Sequence, residues 1–175
     1  MSSRFTSAAL FLPFLAAVTP SSAFAQKPTD PQIAAIVVAA NSVDISAGRR
    51  ASRTTHNRAV RAFAMQMVTD HSAVNKAATD LVTRLHVTPE ASATSRELTA
   101  GGKTNERSLR GKHGRAFDRA YIDHEVAYHQ AVLNAIDSTL VPNATNADLK
   151  ALLVQTRPAF VAHLAHAQRV QAELK

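Results

Sequence analysis

Residues 57–85 read NRAVRAFAMQMVTDHSAVNKAATDLVTRL, and this stretch carries the most regular pattern in the chain. The positions that recur in alternating steps of four and three are Val60, Ala64, Met67, His71, Val74, Ala78, Leu81 and Leu85. This spacing puts them on one face of an α-helix and is typical of the seam of a helical bundle. We expect the helix to begin near Asn57 and to stop at Thr88-Pro89, because the residue before a proline is disfavoured in helical geometry.

A first helix is predicted ahead of this one. Asp30-Pro31 marks its start, since a capping carboxylate precedes a proline whose missing N–H costs nothing in the first turn. The pattern then fades around residues 48–53. Its apolar side is formed by Ile33, Ile36, Val37, Ala40, Val43 and Ala47.

Two more helices are predicted in the second half of the chain. One runs from about Arg115 to Leu140, with an apolar stripe in fours and threes that His129 interrupts. The other opens at residues 145–148, where Thr145 and Asp148 form a capping box. It contains Pro158, which we expect to kink or locally open it.

Residues 88–113 link the second and third helices and show no strong apolar period. We expect a long crossover there, with one short helix around 103–110. Four amphipathic helices and one long link predict an all-α protein, a four-helix bundle of two antiparallel hairpins over residues 26–175. The alternative is up-down-up-down order, with the link looping out.

The composition excludes several kinds of functional site. The chain has 175 residues, 46% hydrophobic, which is enough for one domain with a core. It has no cysteine, which excludes disulfides, thiolate zinc sites, cysteine-ligated iron–sulfur clusters and a cysteine nucleophile. It also lacks a Gly-rich phosphate loop, a Gly-x-Ser-x-Gly elbow and any Glu-x-x-His pair, so the usual di-iron ligand set is not expected and no catalytic residue is assigned.

The amino terminus is typical of a secretory signal peptide over residues 1–25. Arg4 precedes the apolar run 5–18, and Ala23-Phe24-Ala25 offers a cleavage site before Gln26. The run is too short for a membrane anchor. We expect a periplasmic or secreted bacterial protein, without a transmembrane segment after cleavage.

The net charge of +7 suggests an anionic partner. Export takes the protein away from cytoplasmic DNA and RNA, so we expect no nucleic-acid partner. The anionic partners that remain are phospholipid head groups, lipopolysaccharide phosphates or acidic polysaccharide of the envelope. The crossover region concentrates basic residues, namely Lys103, Arg107, Arg110, Lys112, Arg115 and Arg119. The alternative is a solvated connector that binds nothing.

Three histidines interrupt apolar seams on three different helices: His71, His129 and His163. Imidazoles meeting inside a bundle, with a carboxylate, form a ligand set for Zn, Cu or Fe, or a pocket for a small ligand. The carboxylates available as ligands are Asp70, Asp118 and Glu125. The alternative is structural, with the same carboxylates satisfying three core histidines and fixing the helix register.

Four blocks also carry a family resemblance: Val68-Thr69-Asp70-His71, Phe117-Asp118-Arg119-Ala120-Tyr121, His129, and Pro158 with His163-Leu164. Their order and spacing resemble the bacterial domain-of-unknown-function family 4142, over roughly residues 30–174. The resemblance implies an exported envelope protein with a ferritin-like four-helix bundle, and no established activity. It singles out Asp70, His71, Phe117, Asp118, Tyr121, His129 and His163.

Overall fold

A computed structural model describes residues 27–174, and every regular element within that range is helical. The expected all-α class is therefore confirmed, while the signal peptide predicted at 1–25 lies outside the described residues. The elements are α1 (Asp30–Thr54), α2 (Arg58–Arg84), α3 (Ala93–Leu109), α4 (Gly114–Ala135), a π-helical turn (Ile136–Leu140), a helical turn (Val141–Asn143) and α5 (Ala147–Glu173). No helix in this range combines the length and apolar character needed to span a bilayer.

The caps of α1 and α5 differ from the sequence prediction. Thr29, not Asp30, caps α1, and its side chain accepts a backbone N–H of the first turn. Asp30 instead accepts the backbone N–H groups of Thr145 and Asn146, each at 2.9 Å. Thr145 donates its hydroxyl to Asp30, which leaves Asn146 to cap α5. The carboxylate of Asp30 thus joins the start of α1 to the segment just before α5, through a contact with a residue 115 positions away in sequence.

Helix α1 does not fade at 48–53 but continues to Thr54, because its last turns are covered by α2. Gly48 is buried at the point of closest approach, where a Cβ atom would lie 2.8 Å from the carbonyl oxygen of Ala64. Helix α2 begins after its expected cap, Asn57, but ends at Arg84, earlier than Thr88-Pro89. His86 adopts a left-handed conformation (φ 52°), so the helix ends before it reaches the residues that Pro89 restricts.

The crossover is a full helix rather than a link with a short helix at 103–110. Ser92 and Ser95 form a capping box that starts α3. The buried positions of α3 are Ser95, Asn105 and Leu109, and a face so rich in polar residues gives no apolar period. Gly102 lets α3 approach α1, since a Cβ atom there would lie 2.7 Å from a methyl group of Val43.

Two apolar clusters fix the direction of the helices. One contains the end of α1, the beginnings of α2 and α4, and the end of α5. The other contains the opposite ends of the same four helices. Helices α2 and α4 therefore run parallel, and each is antiparallel to α1 and α5. Helix α3 packs along α1 and returns the chain to the end at which α4 begins.

The last two helices also differ from expectation. Helix α4 passes into the π-helical turn at Ile136 and a further turn that ends at Asn143, past the predicted end at Leu140. Helix α5 stays continuous through Pro158, so the local opening predicted there is not observed. Pro158 lies at an exposed position of α5, where its ring removes one helical N–H donor.

The close contact at Gly48 predicts that a larger residue there will destabilise the fold. Replacing a helical glycine by alanine gains roughly 1 kcal/mol of helix propensity, but at Gly48 the new methyl group meets backbone. We expect Gly48→Ala to lower the free energy of unfolding by about 1–3 kcal/mol, measured by urea denaturation. Gly101→Ala on α3 is the matched control, because nothing lies within 4 Å of its Cβ position. It should be neutral or stabilising, and equal effects at both sites would refute the close-contact explanation.

Candidate metal centre

The three histidines predicted from the seams lie side by side in the interior. They come from α2, α4 and α5, and none is more than 2% exposed. The ring centroids of His71 and His129 are 5.6 Å apart, those of His71 and His163 are 5.2 Å apart, and those of His129 and His163 are 5.5 Å apart. The three imidazoles therefore form one layer across the helices.

His71 is fixed by α1. Its Nδ1 lies 2.7 Å from Oδ1 of Asn41. The amide of Asn41 is itself oriented, because its Nδ2 donates to the carbonyl oxygen of Val37 at 2.7 Å. Oδ1 must then accept from the imidazole, which puts the proton of His71 on Nδ1.

His129 and His163 are each anchored in the same manner. Nδ1 of His129 donates to the backbone carbonyl oxygen of Glu125, at 2.9 Å and one turn earlier in α4. Nε2 of His163 donates to the carboxylate of Asp70 on α2, at 2.8 Å. Each acceptor fixes the tautomer of its ring.

The opposite ring nitrogens are left without a hydrogen-bond partner in the part of the chain that the structure describes. Nε2 of His71, Nε2 of His129 and Nδ1 of His163 are all buried and have no hydrogen-bond partner among the described residues. The three side chains offer ligand atoms within 4.8 Å of one another. Three ring nitrogens are thus left in the interior while the opposite N–H of each ring is held by an outer acceptor, as is common for histidines that bind metal ions.

Asp44 of α1 joins this cluster, although the apolar pattern of that helix does not predict it. Its Oδ2 lies 3.1 Å from Nε2 of His71 and 3.5 Å from Nε2 of His129. With Glu125 and His129 it forms a second buried group of ligand atoms within 4.8 Å. A stricter step of four and three along α1, through Ala40 and Ala47, would have found Asp44 in place of Val43.

Burial sets the protonation of the cluster. Loss of solvation raises the pKa of Glu125 to about 8 and raises that of Asp44 well above its ordinary value, with the charge of Glu125 adding to the latter. Burial also lowers the pKa of His71 to about 3 and that of His129 to about 4. At neutral pH these two imidazoles are neutral, which is the form that binds metals.

The remaining predicted site residues lie at different distances from the centre. Asp70 touches the cluster only through His163, and its side chain is 39% exposed. Asp118 accepts the hydroxyl proton of Thr55 at 2.5 Å and precedes Glu125 by seven residues, roughly 10 Å along the helix axis. Asp118 thus belongs to the neighbouring apolar end and not to the layer of imidazoles.

Tyr121 and Phe117, both singled out by the resemblance, lie in the apolar core beside the site. Their rings stack with centroids 6.5 Å apart. The hydroxyl of Tyr121 is buried without a hydrogen-bond partner in the described range. Burial raises the pKa of this phenol well above its ordinary value, with the charges of Glu125 and Asp44 adding to the effect.

Fold and site together define an all-helical protein with a buried layer of imidazoles and carboxylates. The chain belongs to the family described as "Domain of unknown function (DUF4142)", whose model matches residues 16–170. This confirms the resemblance noted from the sequence. No curated protein and no solved structure matches the chain.

The raised pKa of Glu125 predicts a pH dependence of stability in protein treated with a chelator. Between about pH 4.5 and 8 the unfolded chain releases a proton that the folded protein retains, so the free energy of unfolding falls as the pH rises. Glu125→Gln removes this titration and should lose less stability between pH 5 and pH 8 than the wild type. Urea denaturation at both pH values measures the difference.

Glu97→Gln provides the control, since Glu97 is an exposed glutamate on α3. It should follow the wild-type dependence. Parallel pH dependences of the wild type and Glu125→Gln would show that burial does not hold the proton on Glu125.

Proposed function

We propose that this protein binds one transition-metal ion, Zn, Cu or Fe, through His71, His129 and His163, with Asp44 as the carboxylate ligand. The observation that supports this most strongly is the convergence of three unpartnered ring nitrogens whose opposite nitrogens are all anchored. Without a cation, the proton that burial keeps on Asp44 can pair with only one of these nitrogens, and each buried polar atom left without a partner costs about 1–3 kcal/mol.

A bound cation also accounts for the carboxylates. Asp44 and Glu125 are buried together, and two carboxylates in one dry site cannot both ionise without a compensating charge. A divalent ion would displace their protons and supply that charge. Three imidazoles with a carboxylate oxygen suit Zn, Cu and Fe, whereas Mg and Ca prefer oxygen alone.

The ligand set proposed here differs from the one predicted from sequence. Glu125 lies beside Asp44 and holds His129 through its backbone carbonyl. Asp70 is a positioning residue that orients His163. Asp118 has no part in the proposed site, because its contact is with Thr55.

We further propose the finer architecture and the location. In this view α1, α2, α4 and α5 form a ferritin-like four-helix bundle, with α3 as the long crossover between its second and third members. The signal-peptide pattern of residues 1–25 supports export to the periplasm or beyond, with cleavage before Gln26.

Metal content tests the proposal. Protein purified from its own cells without chelator should carry close to one equivalent of Zn, Cu or Fe by elemental analysis. A His71→Ala, His129→Ala double variant should lose it. His56→Ala is the control, because His56 is exposed between α1 and α2.

A second measurement tests the proposal even if the double variant fails to fold. Adding the ion to chelator-treated wild type should raise its melting temperature, since a ligand that binds only the folded state stabilises it. Asp44→Asn, which keeps the shape of the side chain, should reduce that rise. A metal-free native protein whose melting does not respond to Zn, Cu or Fe would refute the proposal and leave the histidines with a structural role.

A second candidate function is contact with anionic envelope material. The basic second half of α3 lies beside the last turns of α1, where Arg49, Arg50 and Arg53 surround Glu106. Two elements thus add positive charge at one end of the molecule, where Arg107 and Arg110 are exposed. Such a surface attracts lipid phosphates or acidic polysaccharide, and exposed charges of this kind are sensitive to salt.

Vesicle binding tests this second function. Vesicles that contain an anionic phospholipid should bind the protein at low salt, and binding should fall steeply between 50 and 500 mM NaCl. Arg107→Glu with Arg110→Glu should weaken it. The control, Arg84→Glu with Lys150→Glu, makes the same charge change at the opposite end, where α2 ends and α5 begins. Salt-independent binding, or equal loss in both pairs, would refute a specific basic surface.

A further inference from the structure

A large cleft that opens beside the layer of imidazoles suggests a second site. It has a volume of about 1200 Å³ and lies between α1 and α4, with α5 at its floor. Its walls are mainly aliphatic, with Ile36 and Val37 from α1, Val132 and Ile136 from the α4 side, and Leu153 from α5. Ligand sites in proteins are apolar concavities of this kind, commonly about 300–1000 Å³.

The polar groups of the cleft are unevenly distributed. Lys27 and Arg96 line it at the end where α1 and α3 begin, and both are exposed. The two segments are held together there by a hydrogen bond from the backbone N–H of Glu90 to the carbonyl oxygen of Pro31, at 3.0 Å. Among the described residues that line the cleft there is no aspartate or glutamate. Its mouth therefore carries positive charge, while its interior is mainly aliphatic.

Two side chains that contact the layer of imidazoles also close the inner end of the cleft. Asn41 lines the cleft and accepts the N–H of His71. Phe160 lines it too, and its ring centroid is 5.1 Å from that of His71 and 6.0 Å from that of His129. A ligand in the cleft would be separated from the imidazoles by one layer of side chains.

The π-helical turn after α4 shapes the outer wall. Ile136, Thr139 and Leu140 of this turn all line the cleft. A π-helical segment is wider than an α-helix and is costly to maintain, and such segments recur at functional sites. Its position suggests that the width of the cleft is a specified feature of the fold.

We propose that the cleft binds a single-chain amphiphile with an anionic head group, its alkyl chain among the aliphatic walls and its head group beside Lys27 and Arg96. An alkyl chain occupies roughly 30 Å³ per carbon, close to the volume share of a water molecule, so twelve carbons fit well within the space. This site is distinct from the proposed metal site, and its occupation needs no metal.

Calorimetric titration with dodecanoate, below its micelle concentration, tests the proposal. Dodecanoate should bind with one-to-one stoichiometry and at least tenfold tighter than dodecyltrimethylammonium, which has the same chain and the opposite charge. Native and chelator-treated protein should both bind it, so failure of the metal proposal leaves this result unaffected. Methyl NMR shifts at Val132 and Ile136 should locate the ligand.

Two matched pairs of variants test where the head group and the alkyl chain of dodecanoate bind. Arg96→Glu should weaken dodecanoate binding at least fivefold, whereas Lys103→Glu, an equal charge change on the exposed side of α3, should leave it unchanged. Ala135→Trp fills the cleft and should weaken binding at least tenfold. Ala116→Trp, at an exposed position in the first turn of α4, should not.

Several results would overturn the proposal. Absence of dodecanoate binding would refute the proposed ligand class. Equal affinity for dodecyltrimethylammonium would refute recognition of an anionic head group. Equal effects of the two members of either pair would show that binding is nonspecific. A dimer by sedimentation that dodecanoate does not dissociate, with the Val132 and Ile136 methyl groups at the interface, would show that a second copy of the chain fills the cleft.

Discussion

The anchoring of each interior imidazole through a single nitrogen is the interaction on which the structure depends. Three acceptors, an amide, a backbone carbonyl and a carboxylate, hold the three N–H groups and so turn the other nitrogens inward. Apolar side chains fill the space on both sides of this layer in two separate clusters. Polar atoms in such a position restrict the register of the helices, because sliding one helix by a turn would leave several buried groups unpaired.

The sequence predicted the helical class and the layer better than it predicted the ends of the elements. The period of α2 places His71 in the interior, and the equivalent stripes place His129 and His163. Helix ends were less predictable because long-range contacts decide them: Asp30 binds Thr145 instead of capping its own helix. Such a contact between residues 115 positions apart leaves no local pattern.

Two features of the structure do not follow from the apolar pattern, and for the same physical reason. Both the length of helix α3 and the burial of Asp44 depend on polar side chains at positions where that pattern expects apolar ones. Asp44 is buried because it belongs to the polar layer, and Asn105 because α3 lies over the outside of α1. Buried polar residues are the positions at which reasoning from hydrophobic patterns fails, and they also mark the site.

The crossover helix has a consequence for the motions of the molecule. Leu109 is the one apolar side chain of α3 that is fully buried, and the rest of its inner face is polar or only partly covered. Little apolar area therefore opposes its detachment, and its amide protons should exchange with solvent by local opening well before those of α1 beneath it. The protein thus combines a tightly constrained centre with a peripheral helix of lower local stability.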